Sequence, residues 1–383
     1  MSMQRAKTPP RRRRFLAGSA AAALGFPAIV KAQGALTLRV QSAWPANDIL
    51  HEYALDFARK VSAMSGGELR IEVLPGGAAA QPFGLLETVS QGLVDGGHGT
   101  LNHHYARHPA FALWGSGPAF GMDANALLAW HKYGGGKALL DKLYAALGVR
   151  VVSFLYGPMP TQPLGWFRKP IRKPEDFKAL KFRTVGMSIE VFGGLGALVN
   201  ALPPEGIVPA MDRALLDGAE YNNATSDRGL GLAEITKVYM LQSYHRNAEQ
   251  LEILFNRTRF DSLPPKLQAL LEGAAEAASA DMSWKAIDRY SSDYRDLHTR
   301  DKVRAYRTPD TVLQRQLESH DAAARKRRND PLFREVEESQ RRFAERAVRW
   351  FLDTQVSSQM AYKHYFGGKP AVRPQGAKKA GEK

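Results

Sequence analysis

Strand-like and helix-like runs alternate from residue 36 onward, and that order restricts the fold more than any other property of the chain. "LTLRVQSA" alternates apolar and polar residues, the two-residue period of a half-buried strand. Trp44 and Pro45 end it, and Asn47 or Asp48 can cap a helix running to about Met64. "SGGELRIEVLPGG" then reads as a turn and a second strand, stopped by Pro75, Gly76 and Gly77. A helix over residues 83–91 and a short buried strand in "LVDGGHG" follow. Two successive βα units predict a parallel sheet with helices on its faces.

The β-branched run "GVRVVSFLYG" at 148–157 marks the expected start of a second lobe. "PLGWFRKPI" reads as another strand, and "KPEDFKALKFRTVG" as a helical turn leading into a strand that carries Arg183. "SIEVFGGLGALVNALPPE" reads as a helix ending before Pro203, "IVPAMDRALLDG" as a further helix, and "GAEYNN" as a strand end. From about Pro264 the spacing is mostly helical, with "VRAYRTP" as a short strand. The last helix is expected over 334–365, and Phe333, Val336, Phe343, Ala347, Trp350 and Phe351 make an apolar stripe on it. The fold class is therefore α/β, with lobe 1 over 33–147 and completed in part by later segments, lobe 2 over 148–263 and a helical region over 264–366. That region is expected to pack on both lobes and on a homodimer partner. A body of about 330 residues exceeds one simple core and agrees with two lobes.

Residues 1–32 stand apart. "RRRRFLAGSAAAALGFPAIVKA" has a basic start, a mildly apolar Ala/Gly-rich middle and Ala32 at a cleavage point, the pattern of an export signal. Arg12, Arg13, Phe15 and Leu16 match the twin-arginine form. The apolar stretch is short for a membrane span, which needs about 20 residues, and Pro27 interrupts it. The expected location is the periplasm. The formal charge of +15 includes seven Lys or Arg and no acid within 1–32, which leaves +8. The tail at 367–383, expected to be disordered, has five bases and one acid, which leaves +4 for the body. That balance gives no case for nucleic acid. The chain has no cysteine, which excludes disulfides, thiol nucleophiles and cysteine-held metals.

The chain contains no Gly-x-Ser-x-Gly, P-loop, His-Glu-x-x-His or strand-led Gly-x-Gly-x-x-Gly motif. His103 and His104 are adjacent and point different ways, without a third ligand at a metal spacing. What remains is a polar set at the ends of expected strands: Gln162, Arg183, Glu220, Asn222 and Asn223. A strand arginine among apolar residues needs an anionic partner, and its planar fork suits a carboxylate. Two partners satisfy this: an anionic ligand, or Glu220 in an internal bridge.

"PEDFKALKFRTVG" resembles the signature of the solute-binding proteins of tripartite ATP-independent periplasmic (TRAP) transporters. "SGGELRIEVLPGG", "VSQGLVDGGHG", "PAFGM" and "ALLDGAEYNN" fit the same family in order and spacing, over nearly the whole mature chain. The resemblance implies a two-lobed periplasmic solute-binding fold with a long C-terminal helix. It also implies a small organic acid bound between the lobes, a membrane permease as partner, dimerisation through the C-terminal helix, and no catalysis. Arg183 would be the residue that clamps the ligand carboxylate. Gln162 before "PLGWFRK", and Glu220 with Tyr221 after "DGA", resemble the subgroup that binds 2-oxo acids such as pyruvate with a metal ion. Gln162 and Glu220 would then give side-chain oxygens, and Tyr221 its carbonyl, to sodium or calcium. The chain departs from that subgroup at Tyr221, where Trp is usual, at Pro163-Leu164, and at Asn102 and His103, which stand where tyrosines are usual. A larger or more polar acid than pyruvate is one expectation from these changes. Other readings are a carboxylate bound without metal, or a periplasmic enzyme using Glu220 or His103 on a carbonyl acid.

Overall fold

The computed structural model describes residues 35–367. The export signal expected over 1–32 and the tail beyond Gly367 lie outside the described residues. Two sheets organise the rest. The first has the order β2-β1-β3-β10-β4, from β1 (Leu36–Ser42), β2 (Leu69–Leu74), β3 (Gly96–Gly99), β4 (Val151–Met159) and β10 (Glu249–Asn256). The second has the order β11-β9-β5-β8-β6-β7. Its strands are β5 (Gly165–Phe167), β6 (Lys181–Arg183), β7 (Leu198–Asn200), β8 (Gly218–Ala219), β9 (Val238–Leu241) and β11 (Arg304–Arg307).

The first βα units form as their spacing predicts. Asp48 caps the helix Ile49–Met64, accepting from the Leu50 N–H at 2.9 Å. Ile49, Leu50, Tyr53, Phe57 and Val61 turn that helix's apolar face into the core. β1 runs parallel to β2 and β3.

The expected division at residue 148 does not hold. β4 is buried along nearly its whole length and pairs with β10, which pairs antiparallel with β3. Both strands belong to the first sheet, which is mixed rather than parallel. A β-branched run specifies a buried strand but not its neighbour, and here the neighbour lies some hundred residues on. The chain therefore crosses between sheets at 160–164, from β4 to β5, and at 242–248, from β9 to β10. It crosses a third time through the 35-residue helix Pro265–Thr299, which links β10's sheet to β11.

The second sheet has its own core, in which Phe167, Phe177, Phe182 and Phe192 pack ring against ring. The single helix expected over 188–202 is instead Ser188–Gly194 followed by β7, which pairs parallel to β6. Gly196 takes φ +94°, a left-handed turn that stops the helix. The C-terminal helix is also interrupted. Pro331–Thr354 ends, and Ser357 caps Ser358–Phe366 by accepting from Met360 N–H at 3.1 Å. Gln340 and Ser339 anchor the first of these helices to Leu113 and Trp130, on the side of the first sheet. No helix among the described residues is long and apolar enough to cross a membrane.

Candidate functional site

Strand directions bring the polar set together. β6 and β8 are parallel, so Arg183, which pairs with Ala219, and Glu220, which follows Ala219, sit at one edge. β5 is antiparallel to β8 and to β9. Its N-terminal side, where Gln162 lies, and the segment after β9 therefore reach the same edge. Ligands of open α/β sheets occupy the crevice outside such strand ends. From the first sheet, the segment after β3 brings Thr100, Asn102 and His103 to face it.

Glu220 is fully buried and is met by Arg183 and Gln162. Arg183 Nη1 donates to its carbonyl at 2.8 Å and to Oε1 at 3.2 Å. Gln162 Nε2 donates to Oε2 at 2.5 Å. Burial opposes the charge on Glu220, but Arg183 and then Arg246 outweigh it and hold the carboxyl below its usual range. Glu220 is a buried carboxylate.

Arg183 is 4 % exposed, and its Nε and Nη2 both donate to the Leu202 carbonyl, at 2.9 and 2.8 Å. Its carboxylate-binding edge is thus spent on backbone, and its bridge to Glu220 is internal. The ligand-clamping arginine implied by resemblance has only one Nη2 hydrogen left over.

Gln162 stands where a cation could be held. Its amide nitrogen lies 2.5 Å from Glu220 Oε2 and 2.7 Å from the Tyr221 carbonyl, while its own Oε1 is buried without a partner. A half-turn of the amide exchanges nitrogen for oxygen in the same outline and gives the buried Oε1 the place now held by Nε2. The turned amide, the carboxylate and the carbonyl then converge as three oxygens. That is a hard-donor set, suited to sodium or calcium. It has one acidic member, and no cluster of three His, Cys, Asp or Glu occurs among the described residues. Calcium takes six to eight oxygens, so a cation here would need oxygens from the ligand as well.

The remaining expected residues divide. Tyr221 is buried, and its hydroxyl donates to Asp48 Oδ2 at 2.5 Å, so its ring reaches from the second sheet to the first. Ser226 donates to the other oxygen of Asp48 at 2.8 Å. Asn102 accepts from Ser116 at 2.5 Å, and its side chain sits against Gly186, where a Cβ would lie 2.5 Å from Oδ1. Gly186 takes φ +65°, so glycine is needed there twice over. His103 lines the cavity between Trp44 and Phe83, and burial, then Arg246, keep its imidazole neutral. Asn223 lines the small cavity beside Gln162 and Asn222, and its Oδ1 accepts from Thr225 and Ser226 N–H, capping the helix Ala224–Leu230.

Two cavity residues escaped sequence reasoning. Arg246 lies on the second crossing, Glu249 opens β10, and both line the cavity with Arg183, Tyr221 and Thr100. Arg246 Nη1 reaches both oxygens of Glu249, at 3.3 and 3.2 Å. Thr100 Oγ1 donates to Glu249 at 2.7 Å. The available signal was an Arg and a Glu three apart between two β-runs, in "SYHRNAEQLEI".

The family model for bacterial extracellular solute-binding proteins, family 7 (DctP), matches residues 40–330. The chain belongs to that family, and its fold is that of the TRAP solute-binding proteins. It is 31 % identical over 244 residues, 64 % of its own length and 66 % of the other's, to a monocarboxylate 2-oxoacid-binding periplasmic protein of Nostoc sp. PCC 7120. Two TRAP solute-binding protein structures superpose closely. One, from Colwellia psychrerythraea with calcium and pyruvate, is 26 % identical at a TM-score of 0.78, covering 87 % of this chain and 100 % of that one. The other, from Pseudoalteromonas atlantica with sodium and pyruvate, is 25 % identical at 0.78, covering 87 % and 99 %.

Proposed function

We propose that the protein is an exported TRAP receptor that binds a small 2-oxo acid between its two sheets and delivers it to a membrane permease. One observation carries the reading: the Gln162 amide meets Glu220 and the Tyr221 carbonyl while its own oxygen is buried and unpartnered. Those three residues would hold sodium or calcium, as the pyruvate-bound relatives carry. When bound, the cation supplies positive charge that lets a carboxylate approach the buried Glu220. The chain's own residues do the rest. Arg183 keeps Glu220 ionised and fixed. Trp44, Phe83 and the neutral His103 make the cavity's less polar wall. Binding favours the closed arrangement of the sheets, the form a permease would read.

The reading includes export through the twin-arginine signal at 1–32 and pairing of two copies through the C-terminal helices. It is tested by thermal unfolding of the mature protein with 2-oxo, 2-hydroxy and plain carboxylic acids, each with sodium, calcium or chelator. A ligand bound only by the folded form raises the midpoint. The expected result is a rise for 2-oxo acids that needs the cation and is lost in Glu220→Ala. A rise indifferent to cation would remove the metal from the reading. No rise with any acid would remove the receptor.

A further inference from the structure

Two guanidinium groups are buried in this cleft, and they are not equally occupied. Arg183 has spent its Nε/Nη2 edge on the Leu202 carbonyl. Arg246 is as deeply buried, 4 % exposed, yet its Nε and Nη2 have no partner. Only its Nη1 is engaged, by Glu249. The edge left open is the one that meets a carboxylate with two parallel N–H···O bonds. Leaving such donors buried and unmet is costly, so an open edge in a ligand cavity calls for an anionic occupant.

The surroundings hold that edge in place. Glu249 anchors Nη1 and is itself fixed by Thr100 at 2.7 Å. The backbone of Arg246 is pinned too: the Gln162 N–H donates to its carbonyl at 3.1 Å. Arg246 lies between two small adjoining cavities. One holds Arg183, Tyr221 and His103, and the other holds Gln162, Asn222 and Tyr290. It therefore stands beside the residues assigned to the cation and the first carboxylate, but apart from them.

We infer that Arg246 receives a second anionic group of the ligand, which makes the preferred solute a short 2-oxo acid carrying two carboxylates. This rests on the receptor reading above and narrows it. The first carboxylate and the keto oxygen face Gln162, Glu220 and Tyr221, and the distal carboxylate lies on the open edge of Arg246. Charge agrees. Arg183 with Glu220 and Arg246 with Glu249 form two internally compensated pairs, so a dianion accompanied by a divalent cation leaves the cleft neutral.

The test compares 2-oxoglutarate with 2-oxopentanoate, acids of equal chain length that differ in the distal carboxylate. Affinities for the intact mature protein are measured by calorimetry with calcium present. The expected preference for 2-oxoglutarate is about tenfold or more, the scale of one charge-assisted contact. Arg246→Gln should abolish that preference, so that the two acids bind alike, whatever the variant does to the affinity they share. Arg246→Lys should restore it only in part, because an ammonium supplies charge without the fork. Equal or tighter binding of 2-oxopentanoate by the unaltered protein overturns the inference while leaving the receptor intact, and needs no variant to fold. Preference retained in Arg246→Gln overturns it as well. Binding of 2-oxoglutarate regardless of cation supports Arg246 and counts against the metal. Binding of neither acid overturns both readings.

Discussion

Asp227 shows how a buried acid next to the site sets the protein's response to pH. It accepts from Trp166 Nε1 at 2.8 Å and from Asn222 N–H at 2.9 Å. Burial prevails over both bonds and raises its pKa from 3.8 to about 7. The folded state therefore holds this proton more tightly than the unfolded chain. The stability it contributes is complete below about pH 3.8 and disappears as pH rises through about 7. Midpoints of the wild type and Asp227→Asn, followed between pH 8 and 4.5, should diverge in favour of the wild type as pH falls. Parallel curves would show that Asp227 is ionised in the fold.

At the scale of elements, the C-terminal helices carry a separable prediction. Pro331–Thr354 buries Phe333 and Val336 but leaves Trp350 and Leu352 exposed, and Ser358–Phe366 buries nothing. Met360, Tyr362, Tyr365 and Phe366 are exposed with them. Apolar surface gathered at one end fits a second copy better than water. Sedimentation of the mature chain should show a dimer, and ending the chain at Gln355 should yield a monomer that still unfolds cooperatively, at a midpoint that no longer depends on protein concentration. A monomeric full chain would remove the homodimer.

Elements also show where sequence patterns stop informing. The period-two run of β1 and the cap at Asp48 are local signals, and both appear in place. β4 was legible as a strand, but its partner β10 is set by contacts that no local pattern encodes. The apolar spacing across Gly193, Gly194 and Gly196 suits a helix, but the left-handed turn at Gly196 ends it. Gln162, Arg183 and Glu220 were legible because polar residues at strand ends are conspicuous. Arg246 was not, because an arginine in a connector usually faces solvent. Only the crossing of the two sheets buries it. The capping role of Asn223 was not legible either, because one amide serves equally well as a cap or as a ligand contact.

For the whole molecule, the bonds from Tyr221 and Ser226 to Asp48 join the two sheets across the cleft. Tyr221→Phe removes one of two hydroxyls from a buried carboxyl and should cost about 1–2 kcal/mol of unfolding free energy. Because the Tyr221 carbonyl is untouched, cation-dependent binding should persist in that variant. Loss of both together would mean that the ring sets the carbonyl's position. The clasp is built wholly from protein atoms, and this has a consequence for traffic at the membrane. A receptor that can shut itself will arrive at its transporter empty as well as loaded, and the two visitors compete for one berth. Uptake would then fall, not rise, when the receptor greatly outnumbers its solute. Weakening the clasp would relieve that congestion even as it loosened the fold.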